Sequence, residues 1–175
     1  MENNLLLPDD LPSDIELLGD GQSFQDTISD MLMEVKGFES FEQSDLLFLA
    51  KHMKAYRARK GTTIFREGDQ NCYLCVLITG HICVYKEDQD NEMKLLGTII
   101  PGKIFGEISI IDNLPHSASL IAESDTIFLL MSREGFHQCT EEQPVLGVRL
   151  LSLIARLLCA RLRSASGQLA EYIHV

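Results

Sequence analysis

The residues best able to do chemistry lie in one stretch, Phe105-Gly-Glu-Ile-Ser-Ile-Ile-Asp-Asn-Leu-Pro-His-Ser-Ala-Ser119. Phe105, Gly106 and Glu107 open a short apolar turn over Ile108–Ile111 that includes Ser109. A polar turn with Pro115 and His116 follows, and the small residues Ser117, Ala118 and Ser119 start a strand. Without a Cβ, Gly106 lets backbone come close to a ligand. A short helix starting there points free N–H groups outward, toward an anion such as a phosphate. An ionised Glu107 only accepts hydrogen bonds, so its partners are hydroxyls such as those of a ribose. If His116 meets a phosphate, the anion raises its pKa and binding strengthens as pH falls through about 6.5. The plainer reading makes His116 a surface turn residue.

Other chemistry is absent from the pattern. Cys72-Tyr-Leu-Cys75 has redox or zinc spacing, but no second pair completes four ligands. It lies in an apolar, strand-like run, where cysteine behaves as a small buried hydrophobe. His52, His81, His137 and His174 have no partner at metal-ligand spacing. There is no Gly-x-Ser-x-Gly, no phosphate loop and no nucleophile–base pair, so no catalytic residue, metal or cofactor is assigned and an enzyme is not expected.

The elements that must position the stretch follow from periodicity. Residues 1–21 read as a loosely ordered acidic tail, with Leu5–Leu7 and Ile15–Leu18 as clusters that could dock. Residues 22–54 read as two helices. Phe24, Ile28, Met31, Leu32 and Val35 mark one face, Gly37 ends the first helix, and Ser40 to Gln43 fits a capping box for the second. Residues 55–131 carry short β-rich runs: Thr62–Arg66, Tyr73–Thr79, Ile82–Lys86, Met93–Ile100, Ser117–Ala122 and Thr126–Met131. Many short strands with regular turn signals mean a sandwich or barrel. Gly80, between two apolar runs, reads as a tight hairpin. Residues 132–175 turn helical, with Ser132 capping a short helix and Pro144 opening a long one. In the long helix Leu150, Ile154 and Leu157 make one stripe, continued by Leu146, Leu153 and Ala160. A helix apolar on two sides has two things to bury against: its own β domain, and either a second copy through a helix-to-helix seam or, in a monomer, its own N-terminal helix and tail. Arg156, Arg161 and Arg163 near its end would oppose the helix dipole favourably.

From about Phe38 to Leu162 the chain resembles the cyclic nucleotide-binding domain family. The resemblance rests on the spaced glycines Gly61, Gly68, Gly80, Gly102 and Gly106 and on the phrase Ile64-Phe-Arg-Glu-Gly-Asp69. It also rests on the phosphate-cassette-like segment 105–119 and the long final helix. It implies a mainly β fold with flanking helices, an eight-stranded jelly-roll with N-terminal helices and a long C-terminal helix. It implies cyclic AMP or cyclic GMP as ligand and Phe105, Gly106, Glu107, Ile108, Ser109, His116, Ser117 and Ala118 as the site. Gly106 and Glu107 match the ribose end; Ser117 and Ala118 match the phosphate end through a hydroxyl and a backbone N–H. The family's cassette usually has Arg where this chain has His116. A charge-assisted bond is worth about 1.5–3 kcal/mol, so that exchange costs about 10- to 150-fold in affinity.

Composition bounds the rest. The 175 residues are 45% hydrophobic and 23% charged, as in an ordinary globular chain. A formal charge of −11 and a pI near 4.8 argue against a DNA-reading surface. No apolar run is long enough for a membrane span, the N-terminus has no basic signal region, and five cysteines suggest reduced thiols, so a cytoplasmic address is expected. About a dozen residues follow Leu162, too few for a helix-turn-helix. Two readings result. One is a stand-alone regulatory sensor domain that binds a cyclic nucleotide weakly or atypically. The other is a degenerate fold serving as a dimerisation or protein-interaction module with no nucleotide. Either acts as a homodimer through the C-terminal helix or through an unknown protein effector.

Overall fold

The computed structural model describes residues 11–172. Two antiparallel sheets carry the β elements. The first is ordered β1 (Ile15–Asp20), β2 (Met53–Ala58), β9 (Thr126–Ser132), β4 (Tyr73–Thr79), β7 (Ile104–Phe105). The second is ordered β3 (Thr63–Phe65), β8 (Ser119–Ala122), β5 (Ile82–Glu87), β6 (Met93–Ile99). Strands β2 to β9 interleave between the two sheets as in a jelly-roll. Between the sheets lies a core of Tyr56, Ile64, Phe65, Leu77, Ile82, Phe105, Leu120 and Phe128 with their neighbours.

The strand alternation explains why these runs pair. Ile82 is buried and Val84 packs beside it on the core face of β5. Leu120 and Ala122 of β8 do the same from the adjacent strand, in the register Val84↔Leu120 and Ile82↔Ala122. The β5–β6 connection is the true hairpin. Its turn is held by the Asp88 carboxylate, which accepts from the N–H groups of Asp90 and Glu92 at 2.9 Å each. These bonds hold the Asp88 carboxyl below its usual range.

Several expectations change. Residues 11–21 are not simply tail. Ile15–Asp20 adds β1 to the first sheet, from Ile15↔Ala58 to Asp20↔Lys54. Ile15 packs against the core while the strand is paired to β2 through its backbone, a long-range pairing that the local sequence pattern does not carry. The Leu5–Leu7 cluster lies outside the described residues. Strand β2 begins where the second helix was expected to continue, because α2 (Gln43–Lys51) stops earlier. The capping box is built by Glu42 and Asp45, two residues beyond the expected one. The first helix, α1 (Gln25–Met33), ends before Gly37. Gly80 makes no hairpin: β4 and β5 belong to different sheets, and its φ of +84° turns the chain from one to the other. A Cβ there would sit 2.4 Å from the Asp125 carbonyl oxygen.

The chain divides into two compact units, 1–137 and 138–175. Between β7 and β8 lies the short helix α3 (Glu107–Asp112). The helix α4 (Arg133–Glu142) is capped as expected, with the Gly135 N–H donating to the Ser132 hydroxyl at 3.1 Å. The long helix α5 (Pro144–Tyr172) outruns the expected apolar stretch. Leu146, Leu150 and Ile154 are buried, whereas Val145, Val148, Leu151, Leu162 and Leu169 are exposed. Since α5 reaches Tyr172, Arg156, Arg161 and Arg163 lie in its middle and not at its end, so they do not act on the dipole there.

Phe128 is fully buried; it stacks on Tyr56 (5.8 Å) and tilts against Phe105 (6.0 Å). Phe128→Ala should cost about 3–5 kcal/mol. That approaches the whole stability of a typical domain, roughly 5–15 kcal/mol. The urea midpoint at unchanged slope measures it.

Candidate functional site

Strand β7 pairs with β4 through Cys75↔Phe105 and delivers Gly106 at its end. Gly106 has φ +75°, and a Cβ there would meet the Tyr73 carbonyl oxygen at 2.3 Å. Both the conformation and the close approach require glycine. It caps α3, whose first residue, Glu107, is completely buried. The Ser109 hydroxyl is also buried and donates to the Gly106 carbonyl at 3.0 Å, so it braces the turn. Helix α3 ends at Asn113 in the left-handed region, φ +61°. Ile108, Ile111 and Leu114 are exposed on this segment, so Ile108 is not part of the enclosed group.

The second half of the segment is fastened to the chain just after β3. The His116 N–H donates to the Asp69 carbonyl and its own carbonyl accepts from Gly68 N–H, both at 2.9 Å. The Glu67 N–H donates to the Ser119 hydroxyl at 2.9 Å. The Asp69 carboxylate closes its own turn by accepting from the Arg66 N–H at 3.0 Å. The phrase Ile64 to Asp69 and the cassette were legible as separate motifs; the fold makes them one clamp.

His116 is 7% exposed, which corrects its reading as a surface turn residue. Its ring stacks on Phe65 with centroids 4.3 Å apart and planes 9° apart. Its Nε2 is enclosed and makes no hydrogen bond among the described residues. Burial disfavours the imidazolium and holds the pKa below 6.5, against a smaller opposing pull from Asp69. The ring is therefore neutral at neutral pH.

Phe65 joins the two halves. Besides His116 it contacts Tyr73 (5.7 Å) and Phe105 (6.1 Å), and its Cε2 lies 3.6 Å from where a Gly106 Cβ would be. The structure thus brings Phe105, Gly106 and His116 around one ring, with Ser109 and Glu107 at the start of α3. Ser117 is exposed and Ala118 half-buried beside this group. The sequence reading missed Lys86. Its Nζ donates to the Ser117 carbonyl at 2.9 Å and to Glu67 at 2.5 Å. Lys86 in turn holds the Glu67 carboxyl below its usual range. Strand alternation from Ile82 and Val84 was the signal that could have found it.

The cysteines play no part as a pair. Cys75 is wholly buried; burial, reinforced by the Glu107 charge, pushes its thiol well above its usual value. Cys72 precedes β4 and is half-buried. Among the described residues no group of His, Cys, Asp and Glu could hold a metal ion. None of their helices is long and apolar enough to cross a membrane.

A family model described as the cyclic nucleotide-binding domain matches residues 56–143, half of the chain. The chain belongs to the cyclic nucleotide-binding domain family. A cyclic nucleotide-binding domain from Methylobacillus flagellatus KT superposes with a TM-score of 0.81 at 28% identity, covering 93% of this chain and 91% of that one. The Thermus thermophilus catabolite activator protein superposes with a TM-score of 0.67 at 26% identity, covering 78% of this chain and 62% of that one. A CRP-like cAMP-activated global transcriptional regulator of Mycobacterium tuberculosis is 28% identical over 136 residues, 78% of this chain and 59% of its own length. The Thermus thermophilus cyclic AMP receptor protein is 31% identical over 110 residues, 63% of this chain and 49% of its own length. The chain thus spans about half to three-fifths of those two relatives. As a cyclic nucleotide-binding domain it has the family's β-roll and a long C-terminal helix.

The burial of His116 predicts a pH dependence of folding. Its folded pKa lies below the unfolded value near 6.5. The preference for neutral imidazole therefore contributes fully above that pH and is lost as pH falls below it toward the folded value. Between pH 7 and 5 the urea midpoint should fall more for the wild type than for His116→Gln. Equal falls would show that this ring carries no such linkage.

Proposed function

We propose that this domain is a regulatory sensor that binds a cyclic nucleotide, cyclic AMP or cyclic GMP, in the cassette. The observation that supports it is the pairing of a glycine-opened turn and Glu107 with the Ser117–Ala118 end of the cassette, held together through Phe65. Gly106 supplies close backbone approach, Glu107 accepts from the ribose, and Ser117 and Ala118 offer a hydroxyl and an N–H to the phosphate. Binding is atypical because the cassette offers a neutral imidazole at His116. The curated relatives described as cAMP-activated and as a cyclic AMP receptor make cyclic AMP the first ligand to test.

Calorimetry and thermal shift with cyclic AMP and cyclic GMP check this at pH 6 and 7.5. Ligand at 100 times its dissociation constant should add about 2.7 kcal/mol of stability. Glu107→Gln should weaken binding about tenfold or more, as expected for loss of a charge-assisted bond. Where the phosphate meets His116, the anion raises its pKa and binding takes up a proton. Affinity then rises as pH falls through about 6.5 and keeps rising below it, since the empty-site pKa lies lower. Affinity that is flat from pH 5.5 to 8 would place His116 away from the phosphate. No shift at millimolar ligand would overturn the sensor reading.

The dimerisation reading has its own support in α5. Val148, Leu151, Ala155, Leu158, Leu162, Ala165 and Leu169 recur at alternating spacings of three and four, and all are exposed except the half-buried Leu158. That is a heptad seam. A homodimer through this seam should run at twice the 19.7 kDa of one chain in light scattering. Leu162→Glu should return it to a monomer; a wild-type monomer at tens of micromolar would reject the seam.

A further inference from the structure

We propose that Lys86 is the cationic anchor of the cassette's phosphate end, supplying the charge that the His116 ring lacks. This rests on the cyclic-nucleotide reading above. Strand β5 places Ile82, Val84 and Lys86 on one face, and the first two belong to the core. The register Val84↔Leu120 and Tyr85↔Ser119, continued by one pair, sets Lys86 opposite Ala118. The side chain reaches the cassette: Nζ is 2.9 Å from the Ser117 carbonyl oxygen. Peptide geometry then keeps it within about 5 Å of the Ala118 nitrogen, the N–H assigned to the phosphate. An anion on that N–H comes into the ammonium's reach with a small swing of a flexible stem.

Glu67 is the counter-ion, 2.5 Å from Nζ. Glu67 is fixed from two sides. Its carboxylate accepts from the Glu87 N–H at 3.2 Å, and its own N–H donates to the Ser119 hydroxyl at 2.9 Å. The pair therefore holds the ammonium beside the phosphate end, balanced by Glu67 until an anion displaces that carboxylate. An arriving phosphate competes with Glu67 for the ammonium and forms a charge-assisted bond there. The Lys86 side chain is 48% exposed, so the exchange buries no unpaired charge on the way.

Cyclic AMP affinities of the wild type, Lys86→Met, Lys86→Arg and Glu67→Gln test this, with a melting curve for each. Lys86→Met should weaken binding about tenfold or more, and Lys86→Arg should retain most of it. Glu67→Gln should strengthen binding, because it removes the competitor. A pair that only braces the pocket predicts the opposite sign for Glu67→Gln. Melting temperatures should stay close to the wild type, since an exposed ion pair contributes little to folding. Undiminished binding by Lys86→Met, or weakened binding by Glu67→Gln, overturns the role of Lys86 while leaving the sensor reading intact. A wild type that binds neither cyclic AMP nor cyclic GMP overturns that reading and this proposal with it.

Discussion

The site depends on one aromatic ring. Phe65 sits at the end of β3 and stacks face to face with His116, tilts against Phe105 and lies beside Gly106 and Tyr73. Those contacts come from three separate places in the chain. Without the ring, the start of α3 and the turn at His116 would be two loops joined only through ten residues of backbone. With it they form one wall. Stacked aromatic pairs are worth about 0.5–1.5 kcal/mol beyond their burial. Much of the site's rigidity therefore comes from the packing of the β core and little from the cassette itself.

That arrangement constrains the charge. A ring pressed flat against Phe65 and cut off from water is costly to protonate, so His116 works as a packing residue in the empty state. An arginine at this position would carry its charge under all conditions. Here the charge around the turn comes from Asp69, which pulls weakly on His116, and from Lys86 of β5 and Glu67 in the turn after β3, which hold each other. The segment around His116 and Ser117 thus has two layers. One is neutral and packed, His116 on Phe65; the other is charged and half-exposed, the Lys86–Glu67 pair.

Helix α5 shows the same division of labour along its length. Leu146, Leu150 and Ile154 are buried early in the helix. The exposed seam from Val148 to Leu169 lies on other positions and runs well past them. An exposed leucine-rich stripe of this length is costly to leave in water. Burial of one face and exposure of the other divide the apolar residues of the helix into two sets.

The sequence by itself determined much of the architecture. Short β-rich runs closed by turn residues marked six of the strands, since residue type and turn chemistry are local properties. The glycine and carboxylate at 106 and 107 marked the site for the same reason: a left-handed turn against backbone admits only glycine. Strands β1, β2 and β7 were not read as strands: Ile15–Leu18 read as a cluster in a tail, β2 starts where a helix was expected, and β7 is only two residues long. The function of Gly80 was misread because a turn within one sheet and a crossing between two use the same residue type. Only the tertiary structure decided that His116 is buried and neutral and that Lys86 stands beside Ser117. Desolvation and cross-strand reach depend on what the fold brings near, and residues 65, 67, 86 and 116 are neighbours only in space.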